Sequence, residues 1–130
     1  MSKPILCVDF DGVIHSYTSK WTNTHTISDP PVPGAIQWLF DATLYFDVHI
    51  YSSRSKDPLG IAAMKDWVTL HAYHDLPSDE VKLFLAALTF SHEKPAAFLT
   101  IDDRAICFHG DFKTLNPQEL LAFKPWNKKA

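Results

Sequence analysis

The 130-residue chain is poor in cysteine, with only Cys7 and Cys107, each among apolar residues. That usage speaks against a disulfide framework and fits buried, reduced thiols in a cytoplasmic protein. Long hydrophobic runs are missing as well. Nothing approaches the roughly 20 apolar residues that a bilayer-crossing helix needs, so no membrane partner is expected. No apolar leader precedes the first acidic residue in "MSKPILCVDF", and no secretory signal is expected. Charge of one sign is scarce too: 12 Lys and Arg stand against 15 Asp and Glu, a formal net charge of −3. Such a balance disfavours a surface that coats polyanions, although a local basic pocket is still compatible with it. There is no internal repeat and no low-complexity tract, and the length suits one domain, residues 1–130.

What is present is a run of alternating strand and helix signals. "ILCVDF" is a continuous apolar strand, the pattern of a parallel sheet covered on both faces. Residues 13–33 are polar and irregular, ending "SDPPVPG", and read as a flap longer than most connections in a compact domain. Pro33 can open a helix whose apolar face is Ile36, Leu39, Phe40 and Leu44. "DVHIYSS" is a second strand. A longer helix follows, with Ile61, Met64, Trp67, Val68 and His71 on one face. "SDEVKLFLAAL" is a further helix with Ser78 as its cap, "TFSHEKP" a short edge strand and turn, and "AAFLTIDDR" a strand ending in acids. "AICFHG" predicts a short strand over 105–108, and Asn116 with Pro117 predicts the cap and first position of a last helix. Strands alternating with helices predict an α/β domain: three layers, Rossmann-like, with a mostly parallel central sheet.

Ligands of open parallel sheets bind at the carboxyl ends of the strands. Here the first strand ends at Asp9 and Asp11, the second at Ser52, Ser53 and Arg54, and the last at Asp102 and Asp103, with Lys94 just ahead of it. Like charges this close repel unless something positive lies between them. Carboxylates without Cys or His at zinc spacing suit a hard, oxygen-preferring cation, Mg²⁺ above all. His71 and His74 form H-x-x-H but on an amphipathic helix without other ligands, and they read as packing or surface residues.

"DFDG", "HIYSSR", "KPAAFLTIDDR" and their order resemble the haloacid dehalogenase-like phosphohydrolases over residues 5–104. The resemblance implies Asp9 as the nucleophile toward phosphorus and Asp11 as general acid/base. It implies Ser52 and Lys94 as phosphoryl-binding groups, with Ser53 beside them. Mg²⁺ would be held by Asp9, Asp102, Asp103 and Asp11, the last through its backbone carbonyl. The substrate class would be a phosphorylated small molecule, a nucleotide or an oligonucleotide end. Large cap domains of that family have no counterpart here, which implies a capless or minimally capped form with an open cleft or a lid from a second copy. Lys82 competes with Lys94 as the phosphate-binding lysine. Ser53 and Arg54 read equally as groups near the substrate or as a turn serine and a solvated arginine. His15 and Trp21 stand as candidates for the pocket or for packing. Two other readings stay open: a phosphorylatable receiver-like signalling domain and a catalytically silent scaffold of the same fold.

Overall fold

The computed structural model describes residues 2–128. Its sheet holds β1 (Ile5–Val8), β2 (Asp47–Ile50), β3 (Leu88–Phe90) and β4 (Leu99–Ile101), in the order β3-β2-β1-β4. Every pairing is parallel, so all four carboxyl ends lie on one edge. The helices are α1 (Ala35–Ala42), α2 (Pro58–Asp75), α3 (Ser78–Ala87) and the short α4 (Pro117–Leu120). No described helix is long and apolar enough to cross a membrane.

Period-two alternation divides the sheet. Leu6, Val8, Val48, Ile50 and Leu88 join the hydrophobic core, together with Ile36 and Leu39 of α1, Met64, Trp67 and Val68 of α2, and Val81 and Phe84 of α3. Phe10, just beyond β1, is fully buried in the same core. Removing a side chain of that size from such a site costs about 3–5 kcal/mol. Ile5, Cys7, His49, Thr89 and Thr100 occupy the alternate positions and lie outside this core. Their character is mixed and polar: His49 bonds Ser91 at 2.9 Å and Asp47 at 3.1 Å.

The expected third layer is therefore not found among the described residues. All core helices pack on the Leu6–Val8–Ile50 side, and α4 buries nothing. The connection from β3 to β4, residues 91–98, carries no helix to cover the other side. The apolar run of β1 misleads because Cys7, on the alternate face, is buried beside a cavity that Lys94 and Thr100 also border rather than in the core under the helices.

Local boundaries have clear causes. Gly34, at φ 83°, caps α1, so the helix begins after Pro33 rather than at it. Leu44, past the end of α1, is exposed. Asp57 caps α2 by accepting the Leu59 N–H at 3.0 Å, with Pro58 in the first turn, where its missing N–H is harmless. Pro77, not Ser78, precedes α3, and no side chain caps it. Asn116 caps α4 as expected, accepting from Gln118 at 3.0 Å. The strand expected at 105–108 does not form. Ile106 and Phe108 are exposed beyond the end of edge strand β4 and have no neighbouring strand to pair with.

Candidate active site

Asp9 follows β1 directly, and its backbone N–H donates to the Ile101 carbonyl at 2.9 Å, extending the ladder. The register pairs Cys7 with Thr100 and Val8 with Ile101, so one step further sets Asp9 beside Asp102. One carboxylate oxygen from each of Asp9, Asp102 and Asp103 lies within 4.8 Å of the others. Gly12 makes room for this. Its φ of +83° suits glycine, and a Cβ there would collide with the Asp103 carboxylate.

The cluster is short of positive charge. Burial above all, then the hydrogen bond with Asp103 and the charge of Asp102, pushes Asp9 up to about 8. Burial also raises Asp103. Two adjacent carboxyls share a proton in this way when nothing else neutralises them. Asp103 Oδ1 is buried and has no hydrogen-bond partner among the described residues. An orphaned acidic oxygen beside two further carboxylates is a donor set that fits a hard divalent cation.

Two small cavities open on either side of Asp9, both bordered by Ser52 and Ser53. One, about 170 Å³, adds Lys94, Asp102, Cys7, Tyr51 and Thr100. The other, about 160 Å³, adds Asp11, Asp103, Tyr17, Trp21 and Arg104. Lys94 thus shares a cavity with Asp9, whereas Lys82 sits exposed on α3 and borders neither. Ser52 is buried at the start of a 3-10 turn, Ser53–Lys56, and its hydroxyl accepts the Arg54 N–H at 3.2 Å. The Cys7 thiol is raised by burial, so it is a packing group beneath the site rather than a reactive one. Cys7 and Thr100 were legible in principle, since each stands two residues before a cluster acid on the same strand face.

Asp11 borders one of these cavities with Asp9, but its carboxylate is paired with other groups. Its carboxylate accepts Arg54 Nε at 2.9 and 3.1 Å and His15 Nδ1 at 2.9 Å. The Asp29 backbone N–H donates to His15 Nε2 at 3.1 Å. A backbone N–H can only donate, so Nε2 is bare and Nδ1 carries the proton given to Asp11. The Asp11 carboxylate is therefore not one of the clustered oxygens. Arg54, readable from sequence as solvated, is 1% exposed, and His15 is buried with it.

The flap is held rather than loose. Arg54 Nη1 donates to the carbonyls of Asn23, Thr24 and Thr26 at 2.9–3.0 Å. Trp67 Nε1 reaches Asp29 O at 3.2 Å, and the Thr24 hydroxyl reaches Asp57. From the far end of the chain, Trp126 Nε1 donates to Gly12 O at 2.7 Å, and Lys128 stacks over Tyr17. Tyr17, at φ 54°, is the one non-glycine described residue in the left-handed region. Trp21 lies 45% exposed over the Arg54 guanidinium, 4.6 Å from ring centre to Cζ. Nothing in the residue pattern marked Arg54, Tyr17 or Trp126 for these roles.

A larger cavity, about 530 Å³, is bordered by the flap prolines, His71 and His74. It lacks convergent acids. His71 packs on Trp67 at 4.4 Å and His74 pairs with Asp75 in the open, so H-x-x-H is no ligand set here. The acids converge instead at the small cavities around Asp9.

No family model, no curated protein and no solved structure matches this chain.

Proposed function

We propose that the protein is a divalent-cation-dependent phosphohydrolase that cleaves a phosphomonoester through Asp9, in the manner of the haloacid dehalogenase-like enzymes its motifs resemble. One observation carries the reading: the oxygens of Asp9, Asp102 and Asp103 converge within 4.8 Å next to a cavity that Ser52 and Lys94 also border. Asp9, Asp102 and Asp103 would hold the cation, Mg²⁺ by the chemistry of the donors. Bound there, it would supply the positive charge that lets an anionic nucleophile meet an anionic phosphate.

The chain's own groups then have distinct tasks. Ser52 and Lys94 bind phosphoryl oxygens and offset the charge that develops on them. An Asp9 oxygen forms the bond to phosphorus as the ester P–O bond breaks, and Asp11, which must enter this step carrying a proton, gives it to the departing oxygen and is left as the carboxylate. Water next attacks phosphorus and passes a proton to Asp11. The bond from Asp9 to phosphorus breaks, and inorganic phosphate leaves with Asp9 restored. The nucleophile must be ionised to begin, so cation loading in place of the proton on Asp9 is part of the same reading.

The test is a screen of phosphorylated metabolites, nucleotides and phosphorylated oligonucleotides with and without Mg²⁺, following released phosphate, with Asp9→Asn as control. Turnover that depends on the cation and vanishes in Asp9→Asn supports the proposal. Turnover that survives exhaustive chelation, or that Asp9→Asn retains, sinks it. A phosphorylated protein stable for minutes without turnover would favour a receiver-like domain instead.

A further inference from the structure

We infer that Arg54 is a positioning residue that ties flap residues 23–26 to Asp11, so that the seating of this stretch and the aim of the proton-transfer carboxyl are coupled through one guanidinium. The inference rests on the phosphohydrolase reading for the task of Asp11, but the clamp itself stands on geometry alone.

Arg54 is the largest fully buried side chain among the described residues. A buried cation is costly unless its donors are met. Here Nε serves both oxygens of Asp11, and Nη1 serves the carbonyls of Asn23, Thr24 and Thr26. The three carbonyls come from an irregular segment with no strand or helix of its own. Their dipoles converge on the guanidinium, which supplies the donors that secondary structure would otherwise supply. Trp21 closes over the same group at 4.6 Å. Backbone placement is equally tight on the other side: a Cβ on Gly60 would strike the Arg54 carbonyl, so α2 backs directly against the turn.

The position of Arg54 in the chain gives the clamp its consequence. Ser52, which borders both cavities at Asp9, stands two residues earlier in the same turn. One short segment thus borders the reaction cavity with its first residue and holds the flap and Asp11 with its third. His15 is the second holder of Asp11, and its ring packs against both Phe10 and Trp67, with centroids 5.6 Å from each. His15 reaches the flap at Asp29 rather than at the 23–26 carbonyls, so among the described residues Arg54 is the side chain that joins this stretch to the carboxyl. Lysine cannot reproduce this arrangement, because an ammonium is a point donor without the planar fork.

The test compares Arg54→Lys with wild type, keeping the charge so that the fold has its best chance. Steady-state rates are measured on p-nitrophenyl phosphate, whose leaving group needs little protonation, and on phenyl phosphate, whose leaving group needs more. Amide hydrogen exchange of residues 22–27 is followed in parallel. Arg54→Lys should lower kcat on phenyl phosphate at least about tenfold more than on p-nitrophenyl phosphate, a part of the 10²–10⁴ that a positioned acid supplies. KM should change little, and flap exchange should speed up. Equal losses on both esters, or unchanged flap exchange, would overturn the inference. Should Arg54→Lys not fold, Trp21→Ala exposes the guanidinium while leaving its charge, and the same two readouts decide with smaller shifts. If wild type hydrolyses neither ester, the phosphohydrolase reading fails on these substrates, and the exchange data alone decide whether Arg54 holds the flap.

Discussion

Asp9 and Asp11 are two residues apart in the chain and stand in opposite surroundings. Asp9 meets two further carboxylates and is pushed up to about 8 by burial and by those neighbours. Asp11 meets a guanidinium and an imidazole N–H, and both of its oxygens are engaged. One side of the DFDG turn has too little positive charge and the other is fully paired. The difference teaches that charge balance sets the two acids apart: the underpaired one is open to a cation, and the paired one is held in orientation. Gly12 stands at the border, its carbonyl bound by Trp126 and its Cα against Asp103.

The largest way to sharpen this contrast is to neutralise each acid in turn. Asp11→Asn leaves the buried Arg54 without a counter-charge and should cost about 3–5 kcal/mol of stability. Asp9→Asn removes a charge from a crowded acidic cluster and should leave stability unchanged or raise it. Urea unfolding of both variants in chelator at pH 8 checks the pair. Comparable losses in the two would break the comparison.

Next in size is the effect of pH. An unfolded Asp titrates near 3.9, whereas folded Asp9 is pushed up to about 8. Between those values the folded state holds the extra proton, so this group's contribution to stability falls as pH rises toward about 8. Asp103, raised as well, acts in the same direction. Melting temperatures of wild type relative to Asp9→Asn, measured in chelator from pH 5 to 8.5, should decline with pH. Added Mg²⁺ should reverse that decline in wild type and not in Asp9→Asn. A relative melting temperature that climbs with pH would contradict the assigned environment of Asp9.

Smaller again is Gly12→Ala. A side chain at φ +83° costs roughly 1–2 kcal/mol, and the collision with Asp103 adds to it. The double variant with Asp103→Ala should recover the collision part and leave the backbone part, which calorimetric melts can separate. Full recovery would mean that the backbone conformation carries no penalty.

The smallest effect is expected from Trp126→Phe, which keeps a ring but removes the 2.7 Å hydrogen bond to the Gly12 carbonyl. A loss of about 0.5–1.5 kcal/mol is expected. No change in denaturation midpoint would show that water replaces the indole donor at no cost.

Much of this site could be read without coordinates. The runs ending in Asp9, Ser52 and Asp102 alternate with helical patterns, and parallel strands joined by helices must bring their carboxyl ends to one edge. That rule places Asp9, Ser52, Ser53 and Asp102 together before any distance is known. The core faces of α1 and α2 followed from spacing for the same reason, since helical periodicity is a local property. The expected third layer and the strand at 105–108 failed because each needs a partner surface, and apolar residues at Cys7, Ile106 and Phe108 do not say whether such a surface exists.

The sequence by itself thus determined which strand ends meet and which acids stand there, because order along the chain and period-two alternation are fixed by covalent geometry. It also set the left-handed turn after Asp11 through Gly12. Only the tertiary structure decided that Asp9 would be crowded and Asp11 paired, that Arg54 would be buried rather than solvated, and that an irregular flap would be held by its carbonyls. Those outcomes depend on donors and charges from segments distant in the chain arriving at the same few ångströms. Such pairing is settled by the cost of leaving a buried polar group unmatched, a cost that exists only once the chain has closed around it.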